Sequence, residues 1–161
     1  MMIIIMKKQM TLCIVRRGDE VLLGMKKCGF GAGRWNGFGG KLNADEAVEQ
    51  AARREMKEEA GIELIDLEKV GVIDFEFQGK VGILEVNIFR STDFSGEPVE
   101  SEEMKPQWFD LDEIPFAQMW PDDIHWFPLF LAGKKFTGRF LFGEGEGNTI
   151  VEQELNEVKV L

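Results

Sequence analysis

Tyrosine is absent from the 161 residues, and His125 is the only histidine. A histidine-centred triad or zinc site therefore has little to build on, and His125 reads as a surface or packing residue. The two cysteines, Cys13 and Cys28, cannot form a disulfide framework or a four-ligand zinc site. They read as reduced, partly buried thiols in a reducing cytosol. Basic residues are scarce, 19 against 29 acidic ones, for a formal net charge of −10. A phosphate-tracking face is thus excluded, and with it a nucleic-acid polymer as partner. An anionic membrane surface is excluded on the same ground. No apolar run approaches a membrane span. Ile3 to Ile5 is too short for a signal-peptide core, and no small-residue cleavage site follows. The expected compartment is the cytoplasm. Met6 and Met10 offer alternative starts, so residues 1–9 read as a flexible extension.

What remains, 10–161, suits one compact domain. Thr11 to Arg16 and Glu20 to Lys26 read as strands around Arg17-Gly18-Asp19. Cys28 to Lys41 holds six glycines interleaved with Phe30, Trp35 and Phe38. Such a loop lets backbone approach something closely. A helix follows, with Asn43 and Glu46 as a capping box and Gly61 as its terminator. Val48, Ala52, Met56 and Ala60, with Ala51 beside them, give it a small-residue stripe for packing on a sheet. Further strands are expected over Leu67–Gln78, Val81–Arg90, Gln107–Leu111, Phe136–Phe142 and Thr149–Leu155. A second helix is expected over Asp122–Leu131, irregular at Pro128. Strands mixed with two helices argue for an α/β protein, a mixed sheet between helical layers.

The most informative segment is Arg54-Glu55-Met56-Lys57-Glu58-Glu59-Ala60-Gly61. On a helix Glu55, Glu58 and Glu59 stand at i, i+3 and i+4, on one face. A solvated acidic face is the ordinary meaning of such a cluster. Here it falls at the helix C-terminus, where the macrodipole already disfavours anions. It also follows the glycine-rich loop, whose carbonyls can come close. A hard divalent cation such as Mg²⁺ would relieve the repulsion and keep waters for a phosphate-bearing substrate.

Gly40, five residues, Glu46, seven residues, then Arg54 to Ile62 matches the Nudix box, and the sequence resembles the Nudix hydrolases on that ground. Flanking segments resemble the oxidised purine nucleoside triphosphatases, the MutT homologues of that family. These are Gly24 to Lys27, Gly29 to Lys41, Phe75-Glu76-Phe77, Pro98 to Ser101 with Glu103-Met104, and Met119 to Asp123. The resemblance runs from Thr11 to near the C-terminus. It implies an α/β/α sandwich with a mixed central sheet and a loop–helix–loop catalytic motif. It implies Mg²⁺, with Mn²⁺ able to substitute, held by Glu55, Glu58 and Glu59 with the Gly39 carbonyl, and Glu103 joining the metal site or activating water. Glu59 is the first candidate for ligand and base, Glu103 the second, and Arg54 orients the glutamates.

The same resemblance implies a purine pocket. Asn36, Asp122 and Asp123 would read the base edge. Trp120, beside Pro121, would stack on the ring, with Phe75 and Phe30 as further walls. Thr11 and Lys26 would line the pocket, and Phe38, Gly39, Gly40 and Lys41 would pass beside sugar and phosphates. Two adjacent carboxylates in an apolar pocket cannot both ionise easily, so one would hold a proton and donate. The implied reaction is hydrolysis of an oxidised purine nucleoside triphosphate to the monophosphate and pyrophosphate, clearing mutagenic nucleotides from the pool.

Singly, these residues have plainer readings. Trp120 to Asp123 suits a capped helix start, Asn36 a turn, Phe75 and Phe77 a strand face, and Lys26 a solvated charge. Two rivals stay open: a Nudix hydrolase for an alkylated purine triphosphate or a nucleotide sugar, and a non-catalytic module sensing an oxidised base. Such modules usually lose box carboxylates, which are all present here. The Gly143–Asn148 segment is long for the family and Cys28 replaces an expected basic residue. A monomer is expected, because no unused apolar stripe is visible.

Overall fold

The computed structural model describes residues 5–161. Its centre is an eight-stranded mixed sheet. The strands are β1 (Lys7–Arg17), β2 (Glu20–Lys26), β3 (Trp35–Asn36), β5 (Glu68–Phe77), β6 (Ile83–Ser91), β8 (Met104–Asp110), β9 (Lys135–Phe142) and β10 (Ile150–Val158). They run in the order β10-β9-β5-β6-β1-β2-β3, and β8 pairs with β2. β1 lies parallel to β6, and β5 parallel to β9, while the other pairs are antiparallel. Two short strands, β4 (Glu63–Leu64) and β7 (Phe94–Ser95), form a separate ribbon. The helices are α1 (Val48–Ala60) and α2 (Asp123–Leu131).

Strand alternation assigns the two faces. Cys13, Val15, Leu22 and Phe89 point to one side, where they bury Ala52, Met56 and Ala60 of α1. Ile14, Val21, Leu23 and Ile88 point to the other, against Trp126, Phe127 and Phe130 of α2. The expected α/β/α sandwich is what forms, and the small-residue stripe is the face of α1 that packs. Short side chains at 51, 52 and 60 let the helix approach the sheet closely.

Several boundaries differ from expectation. The extension read over residues 1–9 enters the sheet at Lys7, because Lys7, Lys8 and Gln9 pair with Ile83, Leu84 and Glu85; residues 1–4 lie outside the described residues. The Asn43–Glu46 contact exists, Asn43 N–H donating to Glu46 at 2.9 Å. It closes a turn in which Asp45 takes φ 62°, and the helix starts only at Val48. There the Ala47 N–H is satisfied by Gln50 at 3.0 Å. Gly61 terminates α1 as expected, at φ 71°. β8 begins at Met104 despite Pro106, which an edge strand tolerates. Cys13 is buried as expected, but Cys28 is exposed.

One irregularity positions the site. β1 pairs with β2 only over Val15 to Arg17. Before that, the glycine-rich loop takes the place of β2. Cys13 and Phe38 exchange backbone bonds at 2.6 and 2.9 Å, and the Thr11 N–H donates to the Gly40 carbonyl at 2.9 Å. The two strands thus splay, and the loop Asn36 to Lys41 lies in the gap, leading into α1.

Candidate active site

Glu59, near the C-terminus of α1, is 4% exposed. Its Oε1 accepts the Gly39 N–H at 2.8 Å. Burial pushes its pKa up to about 8, and the charges of Glu55 and Glu103 add to the shift. The Gly39 amide and the charge of Lys26 oppose it. Glu55, half-buried, is also raised, first by burial and against the pull of Arg54. Glu58 is exposed. The three carboxylates share one helix face, as their spacing requires.

Arg54 organises them. Its Nη1 donates to Glu55 at 3.0 Å and to Glu58 at 3.2 Å. Its Nε and Nη2 grip both oxygens of Glu46 at 2.8 and 2.9 Å, and Nη2 also reaches the Lys41 carbonyl at 3.1 Å. Arg54 accordingly orients glutamates rather than facing a cleft. Its strongest partner, Glu46, was legible in the sequence as a fixed position of the box. The guanidinium, with the Asn43 amide, holds the Glu46 carboxyl down at about 2.

Gly39 and Gly40 are required by close approach. A Cβ on Gly39 would overlap the Thr11 carbonyl, and one on Gly40 would stand 2.8 Å from Glu55 Oε1. The loop therefore touches β1 on one side and the acidic helix on the other.

Two clefts meet at Glu59. The first is largely apolar, walled by Leu12, Phe30, Phe75, Phe77, Leu84, Val86, Trp120 and Phe142. Its polar groups are Thr11, Lys26, Asn36, Asp122 and Asp123, with Gly39 and Gly40 at the Glu59 end. The second is acidic, lined by Glu58, Glu59, Ser101, Glu102 and Glu103. A flat hydrophobic group suits the first, and a cation with phosphate oxygens suits the second.

Asp122 and Asp123 line the apolar cleft and are 3% and 2% exposed. Asp122 stands at the N-cap of α2 but its side chain makes no capping bond; its Oδ2 accepts the Trp126 indole N–H at 2.8 Å. Asp123 Oδ2 and Thr11 Oγ1 have no hydrogen-bond partner among the described residues. Burial raises both carboxyl pKa values, and the neighbouring Asp122 raises that of Asp123 further.

The structure thus brings Thr11, Lys26, Phe30, Asn36, Gly39, Gly40, Phe75, Trp120, Asp122, Asp123 and Glu59 to one cleft. It sets others apart. Phe38 is fully buried in the α1-side core, because its backbone pairs with Cys13 and turns the ring inward. Lys41 is exposed beyond the cleft, and Pro121 does not line it. Glu103 and Glu58 line the acidic cleft, while Glu55 sits behind Gly40 and lines neither. Met10, Leu12, Phe77, Leu84, Val86 and Phe142 were missed. Their only sequence signal is apolar alternation in β1, β5, β6 and β9, which marks a core equally well.

A divalent cation fits the acidic end. Its donors are hard carboxylate oxygens, and Glu59 is buried among like charges that raise its pKa. Among the described residues no three His, Cys, Asp or Glu side chains stand close enough together to hold a metal ion in this arrangement. Glu55, Glu58, Glu59 and Glu103 would hold an ion that keeps several of its own waters.

A NUDIX domain model matches residues 6–130. The oxidized purine nucleoside triphosphate hydrolase of Danio rerio is 56% identical, over 96% of this chain and 97% of that protein. The mouse protein of the same name is 54% identical, over 92% and 94%. Among solved structures, the MutT protein of Bacillus halodurans superposes with a TM-score of 0.82 at 28% identity, covering 92% of this chain and 97% of that one. The chain belongs to the Nudix family. Nudix hydrolases generally use divalent metal ions.

Proposed function

We propose that this protein hydrolyses oxidised purine nucleoside triphosphates to the monophosphate and pyrophosphate, so keeping the nucleotide pool free of mutagenic bases. One observation carries the reading. An aromatic cleft ends on buried polar atoms that lack partners, Thr11 Oγ1 and Asp123 Oδ2, and opens at Glu59 onto an acidic cleft. Buried polar atoms left unsatisfied are costly, and a base edge that satisfies them gains that energy. The activity named for the Danio rerio and mouse relatives agrees.

Trp120, Phe30 and Phe75 would hold the purine by its faces, since stacking tolerates any base. Asn36, Asp122 and Asp123 would choose among bases at the edge. Asp123, held protonated by burial and by Asp122, would donate where its neighbour accepts. Moving that proton lets one pair serve an oxidised guanine or an oxidised adenine. Binding energy won at the base positions the phosphates at the other end. When bound, Mg²⁺, or Mn²⁺ in its place, supplies charge neutralisation and a more acidic water. Glu59 would accept a proton from the attacking water, with Glu103 as second candidate, Glu55, Glu58, Glu59 and Glu103 would hold the ion, and Arg54 would keep Glu55 and Glu58 in register. We further propose a cytoplasmic monomer; no helix among the described residues is long and apolar enough to cross a membrane.

Steady-state turnover of 8-oxo-dGTP, 2-oxo-dATP and dGTP tests the proposal. Preference for the oxidised pair with cation-dependent pyrophosphate release is expected. Faster turnover of an alkylated purine triphosphate or a nucleotide sugar would overturn it in favour of another Nudix specificity.

A further inference from the structure

Arg34 lies outside the lining of the apolar cleft, yet its guanidinium carbon stands 4.0 Å from the ring centroid of Trp120, which does line it. One face of the indole is therefore occupied by a planar cation. The same guanidinium donates to Asn148 Oδ1 at 2.7 Å and to the Gly147 carbonyl at 3.4 Å. Both acceptors belong to the glycine-rich turn between β9 and β10. That turn packs on Trp120 directly. Gly147 is buried with φ 71°, and a Cβ there would stand 2.5 Å from Trp120 Cζ3. The backbone of Arg34 is fixed as well, since its carbonyl accepts the N–H of Lys26 at 3.1 Å.

Resting on the purine-hydrolase reading above, we propose that Arg34, clamped on Trp120 by the Gly147–Asn148 turn, is a positioning residue for the base. It sets the plane of the indole and so governs how tightly the purine end of the substrate is held. Three features support this over a decorative surface contact. The anchors are neutral oxygens, and no carboxylate pairs with Arg34 among the described residues, so its charge remains directed at the ring. By contrast Arg17, 3.9 Å from the Trp108 ring centroid, has Glu20 within 3.5 Å. The guanidinium is flat and forked, so it can stack and bond two oxygens together. Finally, Gly147 admits the indole only because it lacks a side chain, which makes the turn a shaped seat rather than a passing loop.

The test uses the full chain and two readouts. In ¹⁵N-labelled protein, the Trp120 indole N–H signal is assigned from Trp120→Phe. Arg34→Ala and Asn148→Ala are expected to shift it while the Trp108 and Trp126 signals stay in place. With 8-oxo-dGTP, Arg34→Ala is expected to raise KM roughly tenfold, with kcat within about twofold. Arg34→Lys, keeping charge but not plane or fork, recovers less than half of the loss. Gly147→Ala, which intrudes on the indole from the loop side, gives the same KM shift with Arg34 intact. Arg17→Ala leaves KM unchanged. An unmoved Trp120 signal in Arg34→Ala, or a KM equal to that of the unsubstituted protein, would overturn the proposal. If the unsubstituted protein turns over no purine triphosphate, the hydrolase reading fails instead, and the indole signal alone decides whether the clamp exists.

Discussion

Asp122 and Trp126 lie one helical turn apart, and the indole N–H of Trp126 donates to Asp122 Oδ2 at 2.8 Å in the buried core. Adjacent Asp123 has no such donor for its Oδ2. The two carboxyls thus differ by environment: Asp122 Oδ2 is paired with an indole N–H, and Asp123 Oδ2 is unpaired among the described residues.

That difference predicts a pH effect on stability. Both folded-state pKa values are raised by burial, so the pair stabilises fully below the unfolded value near 4 and the stability is lost as pH rises through the folded values. Asp123→Asn removes one of these ionisations. Its melting temperature should fall less steeply above pH 4 than that of the unsubstituted protein. Parallel curves would refute the assignment.

Glu59 predicts how cation binding depends on pH. A group raised to about 8 binds a proton in competition with a metal below that pH. Apparent Mg²⁺ affinity, followed by calorimetry, should therefore be weaker at pH 6.5 than at pH 8.5. Glu59→Gln should flatten this dependence and lower kcat by about a thousandfold or more, consistent with loss of a base and ligand together. Retained turnover in that variant would transfer the role to Glu103.

Asp66 carries a purely structural prediction. It accepts from Ser91 Oγ, Thr92 Oγ1 and the amides of Thr92 and Asp93, at 2.8–2.9 Å. Burial opposes ionisation, but the bonds from Thr92, Ser91 and Asp93 outweigh it and hold the carboxyl at about 2. Its contribution is present above pH 4 and lost as pH falls toward 2. Asp66→Ala should cost about 1–2 kcal/mol in urea unfolding at pH 7, with little change in KM.

Gly40→Ala should separate folding from chemistry. The added methyl meets the movable end of Glu55 rather than backbone. The expected variant folds with a near-normal melting temperature, while cation-dependent turnover drops at least tenfold because Glu55 is displaced. The equivalent change at Gly39 meets the Thr11 carbonyl instead and should lower the melting temperature as well.

Much of the molecule was legible because its signals are local. Short apolar runs around Arg17-Gly18-Asp19 mark β1 and β2, the alternation of Phe75 and Phe77 marks β5, and the four-residue recurrence of small side chains marks the buried face of α1. Box spacing puts Glu55, Glu58 and Glu59 on one helix face whatever the rest of the chain does. Other features depend on partners distant in sequence. The start of β1 at Lys7 needs Ile83 to Glu85 beside it, and β3, β4 and β7 are too short to carry a pattern. The inward turn of Phe38 follows from its backbone pairing with Cys13.

The amino-acid order alone determined the chemistry on offer: a cluster of hard oxygen ligands, an aromatic and glycine-rich loop, and two adjacent aspartates. Tertiary structure alone decided how these are shared out. It buried Glu59 where two clefts meet and left Glu58 in solvent. It gave Asp122 Oδ2 an indole donor and left Asp123 Oδ2 without one among the described residues, and it set Arg34 and a turn more than 110 residues away on the same indole. The reason is physical. Residue type and spacing fix which groups exist and which helix face they share, but burial and hydrogen-bond partners, which set pKa and orientation, come from chain segments that meet only after folding.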